Sequence, residues 1–205
     1  LEERADAPTT TDDLTAGAQT VLQRLTGENA AGKISYPVCW SSSAKGGLRI
    51  VAVGLTPDLT LRAARLAACS AGGRVVRAYS YALTGEQLRE IAALVPDIIL
   101  LVGGSDGGNE RYPLGNAQNL AEAKIPATII YAGNQAVREP VGEILQNTRT
   151  VLVPNLMPEV GELNLEPTRE AIRQVFLDSI VEGRGLSEIS QCLQRPPQPT
   201  PRAMF

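Results

Sequence analysis

"LRIVAVGLTPDLTLRAARLAACSAGGRVVRAYSYALTGEQLREIAALVPDIILLV", residues 48–102, is the stretch on which the fold turns. The apolar runs LRIVAVG, RVVRAYSY and DIILLV alternate with two segments, DLTLRAARLAACSAGG and TGEQLREIAALV, whose apolar residues recur at helical spacing. Short runs that are apolar throughout suit strands buried on both faces, and parallel neighbours of that kind need crossover helices to connect them. Boundary chemistry agrees with this reading. Pro57 stands where a helix takes its first turn after Thr56, Thr84 and Gln87 are spaced for a capping box, and Gly72-Gly73 is a stop signal.

Reading outward toward the carboxyl end, the alternation continues with helix NERYPLGNAQNLAEA, strand ATIIYA, helix QAVREPVGEILQ and strand TVLVP. Pro113 and Pro140 disfavour a helix interior, so both helices are expected to begin close to those prolines. The units add up to an α/β domain over residues 46–155, a five-stranded parallel sheet of flavodoxin-like type with helices on both faces. Residues 156–205 add a helix starting near Pro167 with the stripe Ile172, Val175, Phe176 and Ile180. A short helix carrying Leu186, Ile189 and Leu193 and a proline-rich tail follow. Residues 1–45 contribute one helix with Leu14, Ala18, Val21, Leu22 and Leu25 on one face, behind Asp12 and Asp13. ISYPVCW reads as an edge strand because of its Pro37, and SSSAKGG as a turn.

Composition narrows the chemistry. With 205 residues and 43% hydrophobic content the chain can bury a sizeable core, and a net charge of −3 without basic runs argues against nucleic-acid or acidic-membrane partners. A cytoplasmic location is expected, since the sequence has neither a bilayer-length apolar run nor a signal-peptide pattern at its start. Cys39, Cys69 and Cys192 lie far apart, which indicates reduced, buried thiols and neither a disulfide framework nor a zinc cage. No histidine is present. Ser-His-Asp or Cys-His catalysis, histidine metal sites and an imidazole ligand to haem or cobalamin are therefore excluded for these residues.

Ligands of open parallel sheets collect outside the carboxyl ends of the strands, where the strand order reverses. The polar turns GLTPD, GGSDGGN, AGNQ and PNLMP fall there. Thr56, Asp58, Gly103, Gly104, Ser105, Asp106, Gly107, Gly108, Asn109, Asn134 and Asn155 are thus the candidates for one ligand- or partner-binding rim. Taken singly, each has a simpler account: Gly103 and Gly104 make a tight turn, Asp106 or Asn109 caps a helix, and Asn134 caps the next. Asp58 reads as a helix-start residue, Lys45 as solvated, Trp40 and Tyr79 as core aromatics, and Arg62 and Arg65 as a solvent face. SDGGN has only a superficial likeness to the D-x-G phosphate loop of actin-like ATPases, because Asn109 stands where serine or threonine is expected. Neither a P-loop nor a true G-x-G-x-x-G occurs.

The segments SSSAKGGLRIVAVGLTPDLTLRAARLAACSAGGRVV (41–76), PDIILLVGGSDGGN (96–109), IPATIIYAGNQ (125–135) and PTPRAMF (199–205) resemble the GlmL/MutL family associated with glutamate mutase. That family is distinct from the mismatch-repair proteins sharing its second name. The resemblance covers nearly the whole chain, with LLVGGSDGGN as its most specific part. It implies an actin-like ATPase parent that acts as a reactivating chaperone of adenosylcobalamin-dependent mutases. Family members are about twice as long, with a D-x-G-S phosphate loop before the segment matching residues 7–17 and a D-x-G-G-x-T loop after the segment matching 199–205. This chain therefore reads as a middle piece that does not hydrolyse ATP alone; ATP and Mg belong to the full-length parent.

The order of elements is also similar to the cobalamin-binding domain of the mutases themselves. Where that domain offers a histidine in D-x-H-x-x-G, this chain has TPDLT, so adenosylcobalamin is expected to be met only indirectly. The leading expectation is a non-catalytic domain that docks on an adenosylcobalamin-dependent mutase subunit, its other partners being the remaining halves of the parent. The competing reading is a nucleotide- or cobalamin-binding or catalytic domain in which Asp106 works with Ser105 or Asn134. A third is a scaffold for the missing ATPase halves.

Overall fold

The computed structural model of the chain describes residues 4–7, 14–27 and 48–181. Lys45, Trp40, the ISYPVCW edge strand, the helix around Leu186 and the proline-rich tail lie outside the described residues. Five strands, β1 (Arg49–Gly54), β2 (Arg74–Ser80), β3 (Ile98–Gly103), β4 (Thr128–Gly133) and β5 (Thr150–Leu152), form one sheet in the order β2-β1-β3-β4-β5. Every pairing is parallel, with Ile50 opposite Ile98, Ile98 opposite Thr128 and Ile129 opposite Thr150. This is the flavodoxin-like order, and its reversal lies between β1 and β3.

All six residues of β3 and all six of β4 are buried, as the uninterrupted apolar runs require. Alternation along the strands splits them between two layers. Val51, Val53, Ile99, Leu101, Ile129 and Tyr131 meet Ile91 of α3 (Gly85–Leu94), Leu120 of α4 (Arg111–Ala123) and Val141 of α5 (Arg138–Ile144) in one apolar cluster. Ile50, Ala52, Ile98 and Leu100 point the other way and are equally inaccessible. On β1 and β2 rests α2 (Arg62–Ser70), whose Ala63, Ala64, Ala67 and Ala68 are buried and small enough for close approach. The flanking helices are α1 (Leu14–Thr26) and α6 (Leu165–Val181). Gly46–Gln174 is one compact unit, and the remainder of the chain forms a second.

Thr84 closes the capping box on α3: its hydroxyl accepts from the Gln87 amide at 3.3 Å, and Gln87 Oε1 accepts from the Thr84 amide at 3.0 Å. Pro113 and Pro140 each occupy the third position of their helix, in a first turn whose amides have no intrahelical acceptor, so neither breaks it. Consequently α4 starts at Arg111 and α5 at Arg138, the latter behind a single 3₁₀ turn at Gln135–Val137. One reading needs correction. Cys69 is exposed, because the buried stripe of α2 runs through Ala63, Ala64, Ala67 and Ala68 and leaves position 69 on the solvent side. Thr56 precedes the helical segment with Pro57 in its first turn, as expected, and the Thr56 side chain makes no capping hydrogen bond. The first turn, Pro57–Leu61, is π-helical. Its start is held by Thr60, whose hydroxyl accepts from the Leu55 and Thr56 amides, each at 2.9 Å, and donates to Thr56 O at 3.0 Å.

Candidate functional site

The parallel topology places the connectors after β1, β3, β4 and β5 at one end of the sheet, and hydrogen bonds then tie three of them together. At the centre lies the β3 connector, 103–109. Gly103 (φ 127°) and Gly104 (φ 75°) turn the chain out of the strand in conformations that side chains resist. A Cβ on Gly103 would sit 2.9 Å from the Leu55 nitrogen, and one on Gly104 would sit 2.7 Å from Asn109 O. The β1 and β3 connectors therefore touch at the switch point itself.

Two asparagines with almost no solvent contact pin this loop from outside. Asn134, at the end of β4, accepts through Oδ1 from the amides of Gly107 and Ala136, each at 3.0 Å, and its amide nitrogen reaches Gly108 O and Asn109 O at 3.4 Å. Asn155, beyond β5, donates from Nδ2 to Gly104 O at 2.9 Å and to Asp106 Oδ1 at 2.7 Å, while its Oδ1 accepts from the Met157 amide at 3.0 Å. Asp106 Oδ1 also accepts from the Gln135 amide at 2.8 Å, and the Asp106 amide donates to Pro158 O at 2.8 Å. Beneath them the Tyr131 hydroxyl donates to Asn134 O at 2.8 Å. Burial, reinforced by the Asp106 carboxylate, raises the Tyr131 pKa and keeps that donor protonated.

The sequence candidates divide accordingly. Gly103, Gly104, Asp106, Gly107, Gly108, Asn109, Asn134 and Asn155 are linked by these bonds, with Ser105 joined through its carbonyl, which accepts from the Gly108 amide at 2.9 Å. The simpler accounts also hold at particular atoms. Asn109 Oδ1 accepts from the Tyr112 amide at 3.0 Å and so caps α4, and Asn134 caps the turn at Gln135–Val137. Thr56 and Asp58 stand on the neighbouring β1 connector. Asp58 is exposed, and the Thr56 hydroxyl is buried without a hydrogen-bond partner.

Asn116 was not among the sequence candidates, yet it fixes the β2 side of the rim. Its Oδ1 accepts from the Leu83 amide at 2.8 Å and its Nδ2 donates to Tyr81 O at 2.8 Å, so α4 holds the turn after β2. The signal was available: Asn116 lies in the apolar stripe of α4 with Pro113, Ala117 and Leu120, where an amide side chain needs an internal partner.

Chemically, the loop holds its shape by spending its own donors. The amides of Asp106, Gly107 and Gly108 all donate to protein acceptors, which removes them from the set that would cradle a phosphate. One carboxylate oxygen of Asp106 is similarly engaged, and the side chain is otherwise exposed. Among the described residues no cluster of three or more Cys, Asp or Glu side chains suits a metal ion, and no helix is long and apolar enough to cross a membrane.

Fold and rim together define a flavodoxin-type parallel α/β domain whose switch-point loop is internally bonded. The family model described as MutL protein matches residues 1–205, and Protein MutL of Clostridium tetanomorphum is 39% identical over 210 residues. The chain belongs to the MutL protein family. The alignment takes in all of this chain and 45% of that relative, so the chain spans under half of the relative's length. Among solved structures, the signal receiver domain of the response regulator NarL from Mycobacterium tuberculosis aligns with a TM-score of 0.38 and 21% identity, over 68% of this chain and 100% of that one. The sugar isomerase domain of the RpiR transcription factor from Sphaerobacter thermophilus aligns with a TM-score of 0.36 and 14% identity, over 71% of this chain and 78% of that one.

Proposed function

We propose that this chain is the non-catalytic central domain of a glutamate mutase-associated protein, and that it assists or reactivates an adenosylcobalamin-dependent mutase by binding it. The observation that carries this reading is the self-satisfied loop 103–109. A loop whose amides at 106–108 are already committed, held by two buried asparagines, is suited to presenting a fixed surface to a protein and poorly suited to wrapping an anion. Membership of the MutL family supports this reading, and the resemblance to the glutamate mutase-associated proteins suggests the mutase as the partner. The residues do not fit direct ligation of cobalamin through an imidazole, since the chain has no histidine. On this reading nucleotide and Mg are handled by the rest of the parent, and cobalamin is met through the mutase.

A second reading, small-ligand binding at the switch point, is favoured by the buried, unpartnered Thr56 hydroxyl on the β1 connector. Calorimetric titration of the 205-residue chain with glutamate mutase subunits, with ATP and Mg, and with free adenosylcobalamin separates the two. Saturable heat with the mutase alone is the expected result. Saturation by ATP or adenosylcobalamin, with none by the mutase, would overturn the docking reading and favour the second.

A further inference from the structure

We infer that the mutase docks on the carboxyl-terminal rim of the sheet, with Leu59, Tyr81, Val160 and Leu163 as apolar anchors around loop 103–109, and that the surface it presents there is basic around an apolar depression. This inference rests on the docking reading above and names its face and the chemistry of its partner.

Isolated exposed apolar residues are ordinary on a soluble surface, so position is what matters. Among the described residues the large hydrophobic side chains left exposed are Leu25, Leu59, Leu66, Tyr81, Val95, Val160 and Leu163. Leu59 (45% exposed) follows β1, Tyr81 (50%) follows β2, and Val160 (75%) and Leu163 (47%) lie on the connector after β5. More than half of the set thus falls on connectors at one end of the sheet, around a polar loop held by its own hydrogen bonds. Pro158 O, which accepts from the Asp106 amide, joins the Val160 connector to that loop.

Tyr81 is displayed at a cost. Its φ of 66° lies in the left-handed region, which a bulky residue resists, and the Gly54 carbonyl and the Asn116 amide hold it there. Its ring meets Tyr112 at 5.9 Å between centroids and 58° between planes. Such strain persists where surrounding structure over-determines it and is concentrated at functional positions. A preset tyrosine also loses little freedom on binding, and tyrosine is among the commonest interface anchors.

Charge sets the chemistry that the docked mutase surface must present. The exposed acids Asp58, Asp106, Glu110, Glu159 and Glu162 stand on the same connectors, opposed there by Arg62 and Arg111. The opposite end of the sheet carries exposed Arg49, Arg74, Lys124 and Arg149 at or just before strand starts. An acidic rim repels nucleotides and other anions and attracts a cationic protein surface, within a screening length of about 8 Å at physiological salt.

The test measures mutase affinity for the whole chain carrying Leu59→Ser, the pair Val160→Ser and Leu163→Ser, or the pair Glu159→Lys and Glu162→Lys. Leu66→Ser, an exposed position on α2, is the control. Circular dichroism and thermal melting confirm that each variant is folded. The expected result is a loss of about tenfold or more for each rim variant, unchanged affinity for the control, and wild-type binding that weakens between about 50 and 300 mM salt. The salt dependence should flatten in the lysine pair. Equal mutase binding by rim variants and wild type would overturn the inference and leave the docking function standing; absence of wild-type binding would withdraw both. Self-association by sedimentation that is lost in the rim variants, with mutase affinity retained, would make a second copy the occupant and also overturn it.

Discussion

Replacing Asn155 with alanine isolates the bond that ties the β5 connector to the switch-point loop. Its amide satisfies Gly104 O at 2.9 Å and the Met157 nitrogen at 3.0 Å, both in buried residues, and makes a 2.7 Å contact with the Asp106 carboxylate. Each buried backbone group stripped of its partner costs about 1–3 kcal/mol, so Asn155→Ala should lose about 3 kcal/mol in total. In urea titrations of the 205-residue chain this would appear as a lower midpoint at unchanged slope, and hydrogen exchange at the Asp106, Gly107 and Gly108 amides should accelerate. Asn155→Asp gives the sharper test, because it keeps an acceptor for Met157 but turns a carboxylate oxygen toward Gly104 O and Asp106. The introduced carboxyl, buried beside a like charge, has its folded pKa raised above the unfolded value of about 3.9. Stability from a raised pKa is fully present below the unfolded value and is lost as pH rises through the folded one. Relative to wild type, Asn155→Asp should therefore be weakest near neutral pH and recover as pH falls toward about 4. A loss below about 0.5 kcal/mol for the alanine variant, or no pH dependence for the aspartate variant, would refute the proposed role of this bond.

Gly104→Ala should destabilise by about 2–4 kcal/mol, since a φ of 75° is strained for alanine and its Cβ would lie 2.7 Å from a backbone oxygen; thermal unfolding reads this directly. Val95→Gly should have the opposite effect. Val95 ends α3 at φ 44° and is 60% exposed, so relief of about 1–2 kcal/mol of strain exceeds the glycine entropy cost of about 0.5–1 kcal/mol, and a melting temperature that falls would disprove the balance. At high pH, burial pushes the Tyr79 phenol up to about 12 and that of Tyr131 higher still. Both folded values lie above the unfolded one near 10, so stability present below about pH 10 should be lost as pH rises through them. Phenolate absorbance from Tyr131 should then appear only with loss of the circular dichroism signal, which a Tyr131→Phe comparison can check.

What was legible in the sequence follows from the range of the forces involved. The strands of a doubly covered parallel sheet need apolar residues at successive positions, so β3 and β4 are visible as runs, and the Thr84–Gln87 capping box is visible because its partners are three residues apart. Local chemistry also explains the two helix starts near Pro113 and Pro140. The π turn at Pro57–Leu61 was not legible, because Thr60 is read as an ordinary helix residue until its hydroxyl is seen to satisfy two amides behind it. Cys69 shows the complementary error, a burial judged from residue type when the phase of the helix decides it.

At the rim, residue type was informative and pairing was not. Asparagine at 109, 134 and 155 could cap a helix, bind a ligand or bridge two loops, and these uses are chemically indistinguishable in one dimension. Asn109 turns out to cap, Asn134 both caps and bridges, and Asn155 bridges to Gly104 across 51 residues. That last distance is closed only by two crossovers and the β3-β4-β5 order, so no local pattern can announce it. The same topology puts Leu59, Tyr81, Val160 and Leu163 at one end of the sheet, although they are scattered over more than a hundred positions of sequence. A surface assembled from four connectors can keep its shape only if something resists each connector's freedom. Here Thr60, Asn116, Asn134 and Asn155 each do so from within the protein, leaving the exposed side chains free to make contacts outward.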